Sequence, residues 1–179
     1  SVQGSYAEIS GATILGSAAN DNEVFNAIPM GFNFQYNGVI YNTASIATNG
    51  FLALGNTVTS NNVPISSATG TNNVVAAMAR DLKSRDTGEL SYTTRGSAPN
   101  RVFTVQWKHY RRVPTTCSTD DFSFQIQLHE AGSQVKFVYG ECFAVTASTA
   151  AAMQVGLRGN DNTDFNNRTT ATDWSATDR

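Results

Sequence analysis

Three alternating runs decide what this chain can fold into. In Arg101–His109, Phe103, Val105 and Trp107 share one side of an extended strand, and Thr104, Gln106 and Lys108 share the other. Phe122, Phe124, Ile126 and Leu128 repeat the pattern against Ser123, Gln125, Gln127 and His129. Val135, Phe137 and Tyr139 repeat it again after the polar connection Glu130-Ala131-Gly132-Ser133. Side chains alternate across a strand, so period two marks sheet with one buried face. Gly132 tolerates positive φ, and Phe122–Tyr139 therefore reads as a β-hairpin. Continued through residue 110, the same alternation puts Tyr110 on the face opposite Phe103, Val105 and Trp107.

Turn signals cut the rest of the chain into short strands. Ser1–Leu15 reads as one or two outer strands, followed by the polar turn Asn20-Asp21-Asn22-Glu23. Phe32, Phe34 and Tyr36 alternate up to Asn37-Gly38, the pair a type I′ hairpin turn favours because both its central residues take positive φ. Asn49-Gly50 gives the same signal before Phe51–Leu54. Thr57–Asn73 reads as the longest and most mobile loop. Val74–Leu82 is compatible with helix or buried strand, and its β-branched start and strand neighbours favour strand. Lys83–Gly88 reads as a charged turn, Glu89–Thr94 as a strand, Ala152–Leu157 as a final core strand and Arg158–Asn167 as a polar loop. Ten to twelve short strands without a dividing linker imply one all-β domain over residues 1–179: a two-sheet antiparallel β-sandwich, jelly-roll-like.

Charged residues make up 15% of the 179, against about 25% in ordinary soluble proteins. A net charge of −2 gives no electrostatic footprint for nucleic acid. No apolar run approaches the ~20 residues of a membrane span, so no membrane insertion is expected. No signal peptide opens the sequence, which fits a mature form or an excised domain of an exported protein. In that setting the two cysteines suggest a disulfide. With the hairpin turn near Gly132, Asp121 falls opposite Cys142, and a slack approach brings Cys117 toward the ~5.5–6 Å Cα separation a disulfide needs.

Catalytic signals are missing. There is no Gly-x-Ser-x-Gly elbow, His129-Glu130 lacks the second histidine of a zinc-protease motif, and no strand carries paired carboxylates. The chain is therefore expected not to be an enzyme. Two surface patches are candidate ligand sites. One is Tyr110 with Arg111 and Arg112, an aromatic platform beside two cations. The other is the late polar loop, where Asp161, Asp164, Asn166, Asn167 and Arg168 offer groups that pair with sugar hydroxyls. Asp161 and Asp164 also offer the hard oxygens that calcium takes. The alternative is a turn whose side chains cap their own backbone. Trp174 is read as either a further aromatic platform or a cover for the sandwich edge.

Five blocks in order carry a resemblance: residues 31–55 (GFNFQYNGVIYNTASIATNGFLALG), 72–82 (NNVVAAMARDL), 96–110 (GSAPNRVFTVQWKHY), 122–140 (FSFQIQLHEAGSQVKFVYG) and 153–169 (MQVGLRGNDNTDFNNRT). Together they resemble a β-sandwich domain of secreted and surface proteins of the Bacteroidota, of the kind exported by the type IX route. More distantly, the middle pattern is similar to nidogen-like extracellular domains. The resemblance implies an extracellular module beside other modules of a larger protein, and brings no ligand residues with it. The expected function is a non-catalytic binding or adhesion module on the cell surface with a glycan ligand; the alternative is a structural or self-associating module.

Overall fold

The computed structural model describes residues 5–55, 57–59, 65–66, 70–114, 117–144, 152–161 and 163–170. Eleven strands occur among them: β1 (Thr13–Gly16), β2 (Val24–Tyr36), β3 (Val39–Ala47), β4 (Phe51–Leu54), β5 (Val74–Ala79), β6 (Leu82–Arg95), β7 (Val102–Arg112), β8 (Asp121–His129), β9 (Gln134–Phe143), β10 (Met153–Arg158) and β11 (Phe165–Thr170). They form a five-stranded sheet in the order β1-β6-β7-β8-β9 and a six-stranded sheet in the order β11-β10-β5-β4-β3-β2. All pairings are antiparallel, and the sheets pack as the expected sandwich.

The alternation read from sequence builds the core. Phe103, Val105, Trp107, Phe122, Phe124, Ile126 and Leu128 face Phe34, Ile46, Leu52, Leu54, Val75 and Ala77 of the other sheet. Trp107 stacks on Phe124 at 5.1 Å between ring centroids, and its indole Nε1 donates 3.0 Å to the Ala47 carbonyl across the sandwich. Burying that ring contributes on the order of 3 kcal/mol, and the cross-sheet hydrogen bond fixes where it sits.

β4 and β5 lack alternation because both their faces are covered. Every residue of both strands is buried. On the outer side Phe51, Ala53, Val74 and Ala76 pack with Val58 and Ile65 from the connection that follows β4. That explains why Val74–Ala79 is strand, as expected, while its composition also suits helix. The described part of the Thr57–Asn73 connection is thus a cover rather than a loose loop. Asn26 clamps Val58, donating to its carbonyl (3.3 Å) and accepting from its amide (2.9 Å). Trp174 lies outside the described residues.

Several expectations need correction. Lys83–Gly88 is not a turn but part of β6, with an irregular register between Ser84 and Glu89. Within Arg158–Asn167, Arg158 ends β10 and Phe165 opens β11. At Asn49-Gly50 only the glycine has positive φ (79°), so Thr48-Asn49-Gly50 forms a three-residue connection and not a type I′ turn. Asn37-Gly38 is the expected type I′ pair, with φ of 49° and 79°.

The largest departure lies beside Ser123. Trp107 pairs with Phe124 and Tyr110 with Phe122, so β7 spends one residue more than β8 there, and His109 takes φ 51°. This bulge resets the alternation, turning Tyr110 and Arg112 into the core instead of outward. β9 bulges at the same level, where Tyr139 pairs with Phe124 and Cys142 with Phe122. The expected register of Asp121 opposite Cys142 is thereby shifted, and the expected Cys117–Cys142 disulfide is not formed. Cys142 points its thiol along β8 toward the Ser123 carbonyl (3.9 Å). Cys117 is buried in a separate turn, in which its amide donates to Pro114 (2.8 Å) and its carbonyl accepts from Asp120 (3.1 Å).

Candidate functional site

The late polar loop reaches a partner that lies far away in sequence. The β2–β3 hairpin outruns β4, whose pairing with β3 ends at Ala44. Its tip bends over the ends of β5 and β10. There the Tyr36 hydroxyl donates to the Arg158 carbonyl at 3.0 Å, with the Val74 carbonyl 3.4 Å away. Burial, with the nearby Asp164 charge second, pushes the Tyr36 phenol up to about 12. Beside it Asn37 Nδ2 donates 3.0 Å to Asp164 Oδ2. Gly159 permits this approach: a Cβ at 159 would run into the Asp164 carboxylate and come within 2.7 Å of Asn37 Nδ2. The Gly159 amide also donates 2.8 Å to the Asp164 carbonyl, closing the base of the β10–β11 connection.

These elements enclose an open cleft of about 310 Å³, lined by Tyr36, Asn37, Leu157, Gly159, Asp164, Phe165 and Asn166. Phe165 is 39% exposed. The cleft therefore combines two aromatic rings with a carboxylate and two amides. Aromatic faces cover the C–H faces of a sugar, and planar polar groups pair with its hydroxyls.

Of the candidate residues in the late polar loop, Asp164 and Asn166 line this cleft. Asp161 does not: its Oδ1 accepts from the Thr163 hydroxyl (2.7 Å), the Thr163 amide (2.7 Å) and the Asp164 amide (2.9 Å). These bonds, the Thr163 hydroxyl first, hold its carboxyl below the usual range. This is the backbone-capping alternative, and it leaves Asp164 as the one acid of the pair facing the cleft. Asn167 and Arg168 sit further along β11, opposite Gly156 and Val155. Arg158, which flanks the loop in sequence, is buried and donates 2.9 Å to the Ile65 carbonyl. Among the described residues, no group of three or more His, Cys, Asp or Glu is arranged to hold a metal ion.

The other expected patch comes apart. Tyr110 is buried with its hydroxyl donating 3.4 Å to Asn20 Oδ1, and burial raises its phenol. Arg112 is buried against Asp120. Arg111 remains partly exposed and lines a different cleft with Lys83 and Arg85, with no residue in common with the Tyr36 cleft. The cations of this second cleft are matched locally, Lys83 by Asp21 at 3.9 Å and Arg85 by Asp121 at 3.8 Å. His109 lies 3.0 Å from the same Asp121.

Tyr36, Asn37 and Phe165 line the cleft without having been candidates from the sequence. The Asn-Gly tip was visible, but only as a turn. An aromatic residue directly before such a tip was the available sign that it docks on something.

Fold and site together define a two-sheet antiparallel β-sandwich module with a small mixed cleft at one end. The chain belongs to the family described as NIDO related, whose model matches residues 1–179. Domains of this family are typically extracellular, and the nidogen-like resemblance holds at that level. No curated protein and no solved structure matches the chain.

Proposed function

We infer that this domain is a non-catalytic binding module of a secreted or surface protein, and that the Tyr36–Phe165 cleft takes a carbohydrate. One observation carries the reading: two elements distant in sequence, the β2–β3 tip and the β10–β11 connection, meet to place Tyr36 and Phe165 beside Asp164, Asn37 and Asn166. Tyr36 holds the geometry through its hydroxyl, Phe165 offers the exposed ring, and Asp164 offers a carboxylate to a ligand hydroxyl. The five sequence blocks support a parent among Bacteroidota surface proteins that uses the module for adhesion.

The test is a thermal melt across a polysaccharide panel, followed by titration of any hit. A ligand that binds only the native state raises stability by about 2.7 kcal/mol at a hundred times its dissociation constant, which shifts the melt by several degrees. Phe165→Ala is expected to weaken binding at least tenfold while the ligand-free melt stays put. A hit that Phe165→Ala and Asp164→Asn leave unchanged would move the site elsewhere. No hit on any panel member would turn the assignment to a structural, self-associating module.

A further inference from the structure

The outer face of the five-stranded sheet is polar, yet it is buried. Ser91, Thr104, Gln106, Ser123 and Gln125 are all nearly or fully inaccessible. A polar face of an antiparallel sheet is ordinarily left in water. Here the segment 5–11, which precedes β1, lies across it as a strap. The Ile9 amide and the Tyr6 hydroxyl donate to Gln106 Oε1 at 3.1 and 3.3 Å. Gln125 Nε2 donates to the Ala7 carbonyl (2.7 Å) and to Gln106 Oε1 (2.9 Å), and Gln127 donates to Gln125 Oε1 (3.0 Å). Lys108 pairs with Glu8 at 2.6 Å, and Arg95 binds the Ser10 carbonyl. The Tyr6 ring lies on Gly140 of β9, where a Cβ would approach it to 2.8 Å. One short segment is thus read by β6, β7, β8 and β9.

We propose that this strap is exchangeable, and that the face beneath it is a docking surface for the same segment of a second copy of the chain. Three features point there. Only Tyr6 and Ile9 of the strap's central residues are partly buried, while Ala7, Glu8 and Ser10 are exposed, so the strap is held chiefly by hydrogen bonds and one ion pair that water can replace. Opening uncovers mostly amides and hydroxyls, which water satisfies, and apolar surface only at the Tyr6 ring and Ile9. The joint to β1 is Gly11, at φ 59° with no atom near its side-chain position, a hinge free to swing the segment outward. A tethered strap holds its own face at a roughly millimolar effective concentration. Exchange therefore sets in where copies are crowded side by side, as on a surface, or where a strap loses its own face. The inference is independent of the carbohydrate cleft.

The test uses two variants of the 179-residue chain. Tyr6→Ala with Ile9→Pro spoils the strap and leaves the face intact. Gln106→Ala with Gln125→Ala spoils the face and leaves the strap intact. Each alone is expected to be monomeric by light scattering, and an equimolar mixture is expected to give a 1:1 heterodimer by native mass spectrometry, its fraction rising with concentration. If the paired glutamine variant does not fold, Gly140→Val takes its place, because its side chain meets the Tyr6 ring. A mixture that stays monomeric while both partners melt cooperatively overturns the proposal. So does a dimer of the strap-defective variant by itself, since that contact would not need the strap.

Discussion

Arg112 and Asp120 form an ion pair sealed from solvent: Arg112 Nε lies 2.5 Å from Asp120 Oδ2, Nη2 lies 3.2 Å from Oδ1, and neither side chain has any exposure. Removing one partner strands a buried charge, which costs about 3–5 kcal/mol, whereas an apolar replacement of both is often neutral. Asp120→Ala and Arg112→Ala are each expected to lower the urea midpoint by that equivalent. The double variant Arg112→Met with Asp120→Leu is expected to recover most of the loss. Equilibrium unfolding of the four proteins checks it, and additive losses in the double variant would contradict it.

The same pair shows what was legible in the sequence and what was not. Phe103, Val105 and Trp107 were readable because alternation is a local property of a strand. Arg112 was not, because one extra residue at His109 reverses the parity of everything after it. A bulge leaves no mark in the hydrophobic pattern beyond a short irregularity, and Lys108-His109-Tyr110-Arg111-Arg112 holds too few apolar residues to show one. The cleft divides in the same way. Asp164 and Asn166 were found from composition and Asn37-Gly38 from turn chemistry, but Tyr36 meets Arg158 across 122 positions, which no local pattern encodes. Asp161 was open to two readings in sequence, and the short reach to Thr163 and Asp164 decided for the cap.

The two thiols give a direct readout of the bulge in β9. Alkylation without reductant is expected to add two labels to the denatured chain. In the native protein, partly buried Cys142 is expected to react well before fully buried Cys117. Intact-mass measurement over time separates the two steps. An unchanged mass in denaturant would mean the sulfurs are joined.

Acid is expected to act on the β8–β9 turn in two stages. His129 is held below its ordinary 6.5, first by burial and then by Lys136. Glu130 is held below 4.5, first by its hydrogen bond from Arg101, whose Nε lies 2.8 Å from Oε2. Both folded values are depressed, so each contribution is complete above the ordinary value and fades as pH falls through the folded one. For His129 that loss lies below 6.5, and for Glu130 below 4.5. Arg101 also donates 2.6 Å to the Gly31 carbonyl and sits over the Phe32 ring, so protonating Glu130 loosens a tie between the two sheets. His129→Gln should flatten the upper limb of melting temperature against pH, and Glu130→Gln the lower one. A profile unchanged by both would place the acid sensitivity elsewhere.

Gly50 and Gly38 share one φ, 79°, and differ in their surroundings. A Cβ at Gly38 meets nothing within 4 Å, so Gly38→Ala carries only the left-handed backbone penalty, about 1–2 kcal/mol. A Cβ at Gly50 would collide with the Met78 carbonyl oxygen and press on Leu82. That carbonyl cannot retreat cheaply, because the Met78 amide donates to the Gly50 carbonyl at 3.2 Å and the Arg80 amide to Asn49 at 3.3 Å, which ties the turn to the end of β5. Gly50→Ala must therefore separate the β3–β4 turn from β5, next to the doubly buried strands. It is expected to lose clearly more than Gly38→Ala, by several kcal/mol, with an earlier onset of hydrogen exchange at Met78 and Arg80. Denaturant melts of the two alanine variants measure the difference. Equal losses would show that backbone strain alone limits both sites and that the contact at Met78 relaxes.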